Sequence, residues 1–185
     1  MTIKVDKTIT QIAKFASKDQ GRPGLAQVLI DPANGRAVST DGHRLQMVDL
    51  PSGNEDMDSF GVLAAELLKM KTLATISACD DTITLTSVTT PTSVTTLAQV
   101  EAKFPDYQQV LPKDNTVILA VNAKYLAEAA SYIAKHASNK KNPVAHLTVK
   151  INADGTVDAT LPMTLEGVVG EDHRAATHVL MPVRV

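Results

Sequence analysis

The chain has 185 residues, 44% of them hydrophobic and 21% charged. That is enough for one to two domains with a core that needs no disulfide staples, and it excludes mini-protein, disordered and fibrous classes. With 18 basic against 20 acidic residues the net charge is -2, so only a local basic face, and not the whole surface, can meet nucleic acid.

Ile9, Ile12, Ala13 and Ala16 fall on one helical stripe, with Lys7, Gln11, Lys14 and Lys18 on the opposite one; the spacing predicts an amphipathic helix over 6–18. Gly21-Arg22-Pro23-Gly24 breaks it. Residues 25–30 and 36–50 flank Asp31-Pro32-Ala33-Asn34-Gly35, where Asn-Gly supplies positive φ, so a β-hairpin is expected. A polar loop over 51–59 leads through Phe60-Gly61-Val62 into a second helix over 63–75. Its apolar stripe is Leu63, Leu67, Met70 and Ala74, with Lys69 and Lys71 off it. The Thr- and Val-rich stretch 76–111 reads as strands at 83–86 and 94–97 around a turn at Pro91-Thr92-Ser93. A strand over 116–121 and a third helix over 123–137 follow. That helix is expected to bury Leu126, Ala130 and Ile133 and to show Lys124, Glu128, Ser131 and Lys135. Strands near 145–151, 156–161 and 178–185 close the chain, the first two joined by a turn at Asn152-Ala153-Asp154-Gly155.

Strand, helix and several strands thus recur three times, over 1–58, 59–111 and 115–185, as modules that bury their helices against a shared sheet. Charge follows the helices. Segments 1–22, 63–76 and 122–141 carry +3, +1 and +3, leaving about -9 for the rest. Solvated lysines would account for one such helix, but the same sign on all three points to a shared basic face of Lys7, Lys14, Lys18, Arg22, Lys69, Lys71, Lys124, Lys135, Lys140 and Lys141. Aromatics are 3% with no Trp, so such a face suits contact with duplex phosphates and not base stacking.

Chemistry is hard to find. The five histidines (43, 136, 146, 173 and 178) lack metal-ligand spacing, and Cys79 has no neighbouring His to activate it. As the sole cysteine it reads as a small buried apolar residue of a protein in a reducing compartment. Asp80-Asp81 and Glu171-Asp172 read as solvated turns, and no Gly-rich phosphate loop occurs. No enzyme, cofactor or metal is expected. Without a signal-peptide core or a spanning run of apolar residues, a soluble cytoplasmic protein with no membrane partner is expected.

Three segments together resemble the bacterial DNA polymerase sliding clamp, the β subunit of the replicase: Ser39-Thr40-Asp41-Gly42-His43-Arg44-Leu45, Phe104-Pro105-Asp106-Tyr107-Gln108-Gln109-Val110-Leu111-Pro112, and the C-terminal Val179-Leu180-Met181-Pro182-Val183-Arg184-Val185. Val121-Asn122-Ala123-Lys124-Tyr125-Leu126 adds a fourth, similar to the start of the last helix of the clamp's final domain. The resemblance implies an α+β DNA-clamp fold of repeated β-α-β modules, with helices on one face of antiparallel sheets lining a hole for duplex DNA. It implies a non-enzymatic processivity factor that tethers DNA polymerase and other clamp-motif proteins, with a clamp loader as a further partner. Carried over residue by residue, the clamp's peptide pocket comprises Leu25, Thr40, Gly42, His43, Arg44, Leu45, Pro105, Val110, Val179, Leu180, Met181, Pro182, Val183 and Arg184. Leu25, Leu45, Val110, Leu180 and Met181 would be apolar walls, and the Thr40 hydroxyl and Arg44 would orient an extended peptide. By itself, Asp41-Gly42-His43-Arg44 also reads as a strand-end turn held by side-chain hydrogen bonds.

The chain departs from the family in two ways. Gln108 and Gln109 stand where the family usually has basic residues, so the pocket rim should be less charged. Residues 1–111 resemble a complete clamp domain, the middle one, whereas 112–185 resemble only the second half of the last. If a ring needs about twelve modules as in the family, three per chain close it with about four chains, a homo-tetramer. A non-encircling module that keeps the peptide pocket and acts as a decoy or regulator of replication proteins is the alternative.

Overall fold

In the computed structural model, residues 2–19, 21–53, 56–70, 74–79, 82–87, 93–111, 120–152, 161–170 and 173–182 are described. They divide into two compact units, Met1–Val110 and Leu111–Val185.

The N-terminal unit holds two modules that exchange a strand. The first runs β1 (Thr2–Val5), α1 (Lys7–Gln11), a 3-10 turn (Ile12–Phe15), β2 (Gln27–Asp31), β3 (Arg36–Thr40) and β4 (Leu45–Asp49). The second runs β5 (Phe60–Leu63), α2 (Ala64–Lys69), β6 (Ala74–Cys79), β7 (Thr82–Ser87) and β8 (Ser93–Ala98). Both sheets are four-stranded, in the orders β4-β3-β2-β5 and β1-β6-β7-β8. The lead strand of each module therefore pairs, antiparallel, with the first post-helical strand of the other: Val28 opposite Val62, and Ile3 opposite Ile76. The helical segments pack on one another, and Ile9, Ile12, Ala13, Ala16, Ala64 and Leu67 join Ile3, Val5, Val28, Ile30, Ile76, Ile83 and Leu85 in one buried core.

Among the described residues, the C-terminal unit holds one module: α3 (Ala123–His136), β9 (Ala145–Thr148), β10 (Met163–Val169) and β11 (Arg174–Leu180), in the sheet order β11-β10-β9. Asn122 caps α3 by accepting from the Lys124 and Tyr125 N–H groups. Ala129 and Ile133 pack with Leu165 beneath them, and Gly167 lies so close to Ile133 that any Cβ there would meet its side chain.

Several expectations are corrected. The first helix is short, because Ala16 is extended and Ser17 N–H donates to Leu25 O at 2.8 Å, which takes Lys18 off the helix. The second helix starts one residue late and stops at Lys69: Leu63 pairs with Gln27 in the sheet and is exposed, and Ala74 already belongs to β6. Residues 36–50 make two strands, not one. In α3 the buried alanine is Ala129 and Ala130 is exposed, since spacings of three and four both fit a helical stripe and the sheet selects between them. Strand β10 was not anticipated. It is the partner of β9, whereas the expected strands at 116–121 and 156–161 lie largely or wholly outside the described residues. The last strand begins at Arg174. Cys79, expected to be buried, is exposed at the end of β6.

Candidate functional site

The connector after β8 is held against both ends of β2 and the turn before it. Gln27 Nε2 donates to Ala102 O at 2.7 Å and to Gly24 O at 3.2 Å. Gly24 approaches Lys103 so closely that a Cβ would stand 2.6 Å from its carbonyl oxygen, which only glycine permits. Phe104 is buried, and the buried Tyr107 donates its hydroxyl hydrogen to Asp31 Oδ2 at 2.8 Å. Asp31 also accepts from the Asn34 N–H and side-chain amide and from the Ser59 hydroxyl. Burial pushes the Asp31 carboxyl up, but these hydrogen bonds outweigh it and hold it below the usual carboxylate range. Burial first, then the hydrogen bond to Asp31 and its charge, push the Tyr107 phenol up.

The turn between β3 and β4 is built by side chains. Thr40 Oγ1 donates to Arg44 O at 2.7 Å and accepts from Gly42 N–H at 3.0 Å. Asp41 Oδ1 accepts from the N–H groups of His43 and Arg44, and Asp41 Oδ2 from Arg44 Nε at 3.0 Å. These donors, the His43 N–H first, hold the Asp41 carboxyl low against desolvation. Gly42 sits at φ +91, a left-handed conformation that favours glycine. The Arg44 guanidinium lies 4.7 Å over the Phe15 ring. The strand-end turn and the family motif are thus the same residues, and the Thr40 hydroxyl both donates and accepts within the turn.

Connector and turn enclose a cavity of about 360 Å³, lined by Leu25, Thr40, Gly42, His43, Arg44, Leu45, Pro105 and Val110 together with Asp106 and Tyr107. The size is that of a small-ligand or side-chain pocket. Asp106 and Tyr107 were missed as lining residues although they stand inside the Phe104–Pro112 motif. Asp106 accepts from Gln108 N–H and from Gln109 Nε2, so both glutamines donate to an acid at the rim. Val179, Leu180, Met181 and Pro182 line a cavity of about 570 Å³ in the C-terminal unit with Val121, Asn122 and Tyr125. Val183 and Arg184 lie outside the described residues.

Of the basic residues, Lys7, Lys14, Lys18, Lys124, Lys135, Lys140 and Lys141 are exposed. Arg22 is paired with Asp19 at 3.0 Å and Lys69 with Glu66 at 2.6 Å; Lys71 lies outside the described residues. Lys124 and Lys135 share one face of α3 with Glu128 and Ser131.

No protein-family model matches the sequence. The chain is 27% identical to the beta sliding clamp of Caulobacter vibrioides over 117 residues, 59% of this chain and 31% of that protein, and 34% identical to the beta sliding clamp of Pseudomonas putida over 105 residues, 54% and 29%. Among solved structures, DNA polymerase III subunit beta from Borrelia burgdorferi superposes with a TM-score of 0.71 at 16% identity, covering 98% of this chain and 47% of that one. The sliding clamp of Bartonella birtlesii bound to griselimycin gives a TM-score of 0.68 at 22% identity, covering 100% and 52%. The fold is that of the sliding clamps, and the chain spans about half the length of these solved chains.

Proposed function

We propose, from kinship with the bacterial sliding clamp in sequence and fold, that the chain is a clamp-type processivity factor of DNA replication: several copies form a ring on duplex DNA, and a peptide pocket tethers the polymerase. The clamp-complete domain is 1–111 and the half-domain 112–185. The observation that carries the reading is that eight residues assigned to a peptide pocket by the family resemblance, scattered from Leu25 to Val110, line one cavity. An extended peptide would set apolar side chains against Leu25, Leu45 and Val110, with Arg44 at the rim. Met181 and its neighbours, which line the C-terminal unit's own cavity, would take apolar peptide side chains there. With Gln108 and Gln109 at the rim, less acidic peptides should be accepted than a basic rim would favour. The exposed lysines of α1 and α3 and of the segments that follow them would contact phosphates without reading sequence. A clamp loader and a four-chain ring belong to the same proposal.

The test is fluorescence anisotropy with a labelled clamp-motif peptide. Val110 is 69% exposed, so Val110→Asp should keep the fold and weaken binding on the order of 10-fold or more. Saturable binding that Val110→Asp and Met181→Asp leave unchanged would sink the pocket assignment.

A further inference from the structure

In the N-terminal unit, the first strand after each helix is flanked by its own successor on one side and by the sister module's lead strand on the other: β2 lies between β3 and β5, β6 between β7 and β1. Strand β9 is the third strand of this kind, and among the described residues it pairs with β10 alone. Every residue of β9 is exposed. Leu147 stands opposite the buried Leu165, on the sheet face that carries α3, yet is itself 56% exposed.

The helix shows the same vacancy. The Tyr132 ring meets the His178 ring of β11 with centroids 5.3 Å apart, so that flank of α3 leans toward β11. The opposite flank, toward β9, carries Ala123, Ala127, Ala130 and Ala134 at i, i+4, i+7 and i+11, all exposed. In the N-terminal unit, Ala13, Ala16 and Ala64 lie buried in the core where the helical segments of the two modules meet. The same module is thus seen covered twice and uncovered once.

We propose that a second copy of this chain covers it. The C-terminal units of two chains pair across a two-fold axis, α3 against α3 through the alanine stripe, and complete in trans the two-module domain that the N-terminal unit makes within one chain. The interface is self-complementary, as a two-fold axis requires. Lys124, Glu128 and Lys135 lie on the adjoining arc of α3, which Ala127 borders, so pairing brings no like charges together at its centre and leaves the basic face open. The proposal deepens the multi-chain ring and rests on that reading for its purpose, while the interface rests on the alanine stripe, Leu147 and the edge of β9.

The test is the solution mass of the full chain without DNA or peptide. Wild type should sediment as a dimer or a multiple of it, and Ala130→Glu/Ala134→Glu, an exposed change between good helix formers, as a single chain with unchanged helical circular dichroism. If that variant misfolds, Ala130→Cys in a Cys79→Ser background decides: diamide oxidation, which joins two thiols as a disulfide and reduces the diamide, should give a covalent dimer, whereas Lys135→Cys should not. A wild type that stays monomeric at all micromolar concentrations, a dimer indifferent to Ala130→Glu/Ala134→Glu, or equal cross-linking at 130 and 135 would overturn the interface. Peptide anisotropy separates the two readings: a monomer that binds peptide removes this interface alone, and a dimer that binds neither peptide nor DNA removes the clamp function alone.

Discussion

The two units are built from the same kind of module, yet they solve the burial problem differently. In Met1–Val110 each lead strand crosses to the sister sheet and the helical segments pack on each other, so Ile3, Val5, Ile9, Val28, Val62 and Leu67 share one core. In Leu111–Val185 one helix covers one three-stranded sheet, and the cluster under it among the described residues is Ala129, Ile133 and Leu165. Tyr125, Leu147, Val168, Val179 and Met181 stay about half or more exposed. A module of this type saturates its apolar surface only with a sister, and the unit that lacks one should be the less stable and the more dependent on association.

Truncating Ile133, 1% exposed, should separate the two units' stabilities most sharply. Ile133→Ala removes the main wedge between α3 and β10, at a cost of about 2–5 kcal/mol. Hydrogen exchange should show protection lost over 123–180 and kept over 2–98; uniform loss would mean the units are not independent in stability. Next comes Tyr107→Phe, which deprives Asp31 of a buried donor and costs about 1–3 kcal/mol. That loss belongs to the N-terminal unit and should weaken peptide binding there while leaving exchange in α3 unchanged. Acid should act on the same unit. The Asp31 and Asp41 carboxyls lie below their usual range, so the stability they contribute is present above the unfolded carboxylate value of about 4 and is lost as pH falls through their lower folded values. Asp31→Asn should flatten that acid limb in a urea titration, and an unaltered limb would contradict the assignment. Smallest is Asp41→Ala, under about 1 kcal/mol because the carboxyl is near the surface; it should speed amide exchange at His43 and Arg44 and loosen the pocket without touching the core.

The two units also differ in how far they can be read from sequence. Helix α3 is legible almost to the residue, because 14 consecutive residues carry one pattern between an Asn cap and Ala137. Helix α2 is blurred, because the backbone of Leu63 is taken by Gln27 in another module's strand, a long-range pairing that local periodicity does not register. Strand β10 was missed although Met163, Leu165 and Gly167 alternate with Thr164, Glu166 and Val168; a glycine at one inward position hides the pattern, and its reason is the Ile133 side chain above it. The strand exchange has no local signature at all. Most of the N-terminal cavity is legible through two of the three family motifs, whereas the third lines the C-terminal unit's own cavity; Asp106 and Tyr107, although inside the second motif, are not singled out by it, one being tied down by neighbouring amides and the other by Asp31, 76 residues away.

Topological retention on DNA is the most direct test of a clamp. The chain, loaded on nicked circular duplex and passed through a sizing column at physiological salt, should elute with the circle and be released when the circle is linearised. Lys14→Glu/Lys18→Glu should shorten the retention most at low salt, and its difference from wild type should shrink as salt rises. Equal retention on circular and linear duplex, or none on either at concentrations where the chain is assembled, would contradict encirclement.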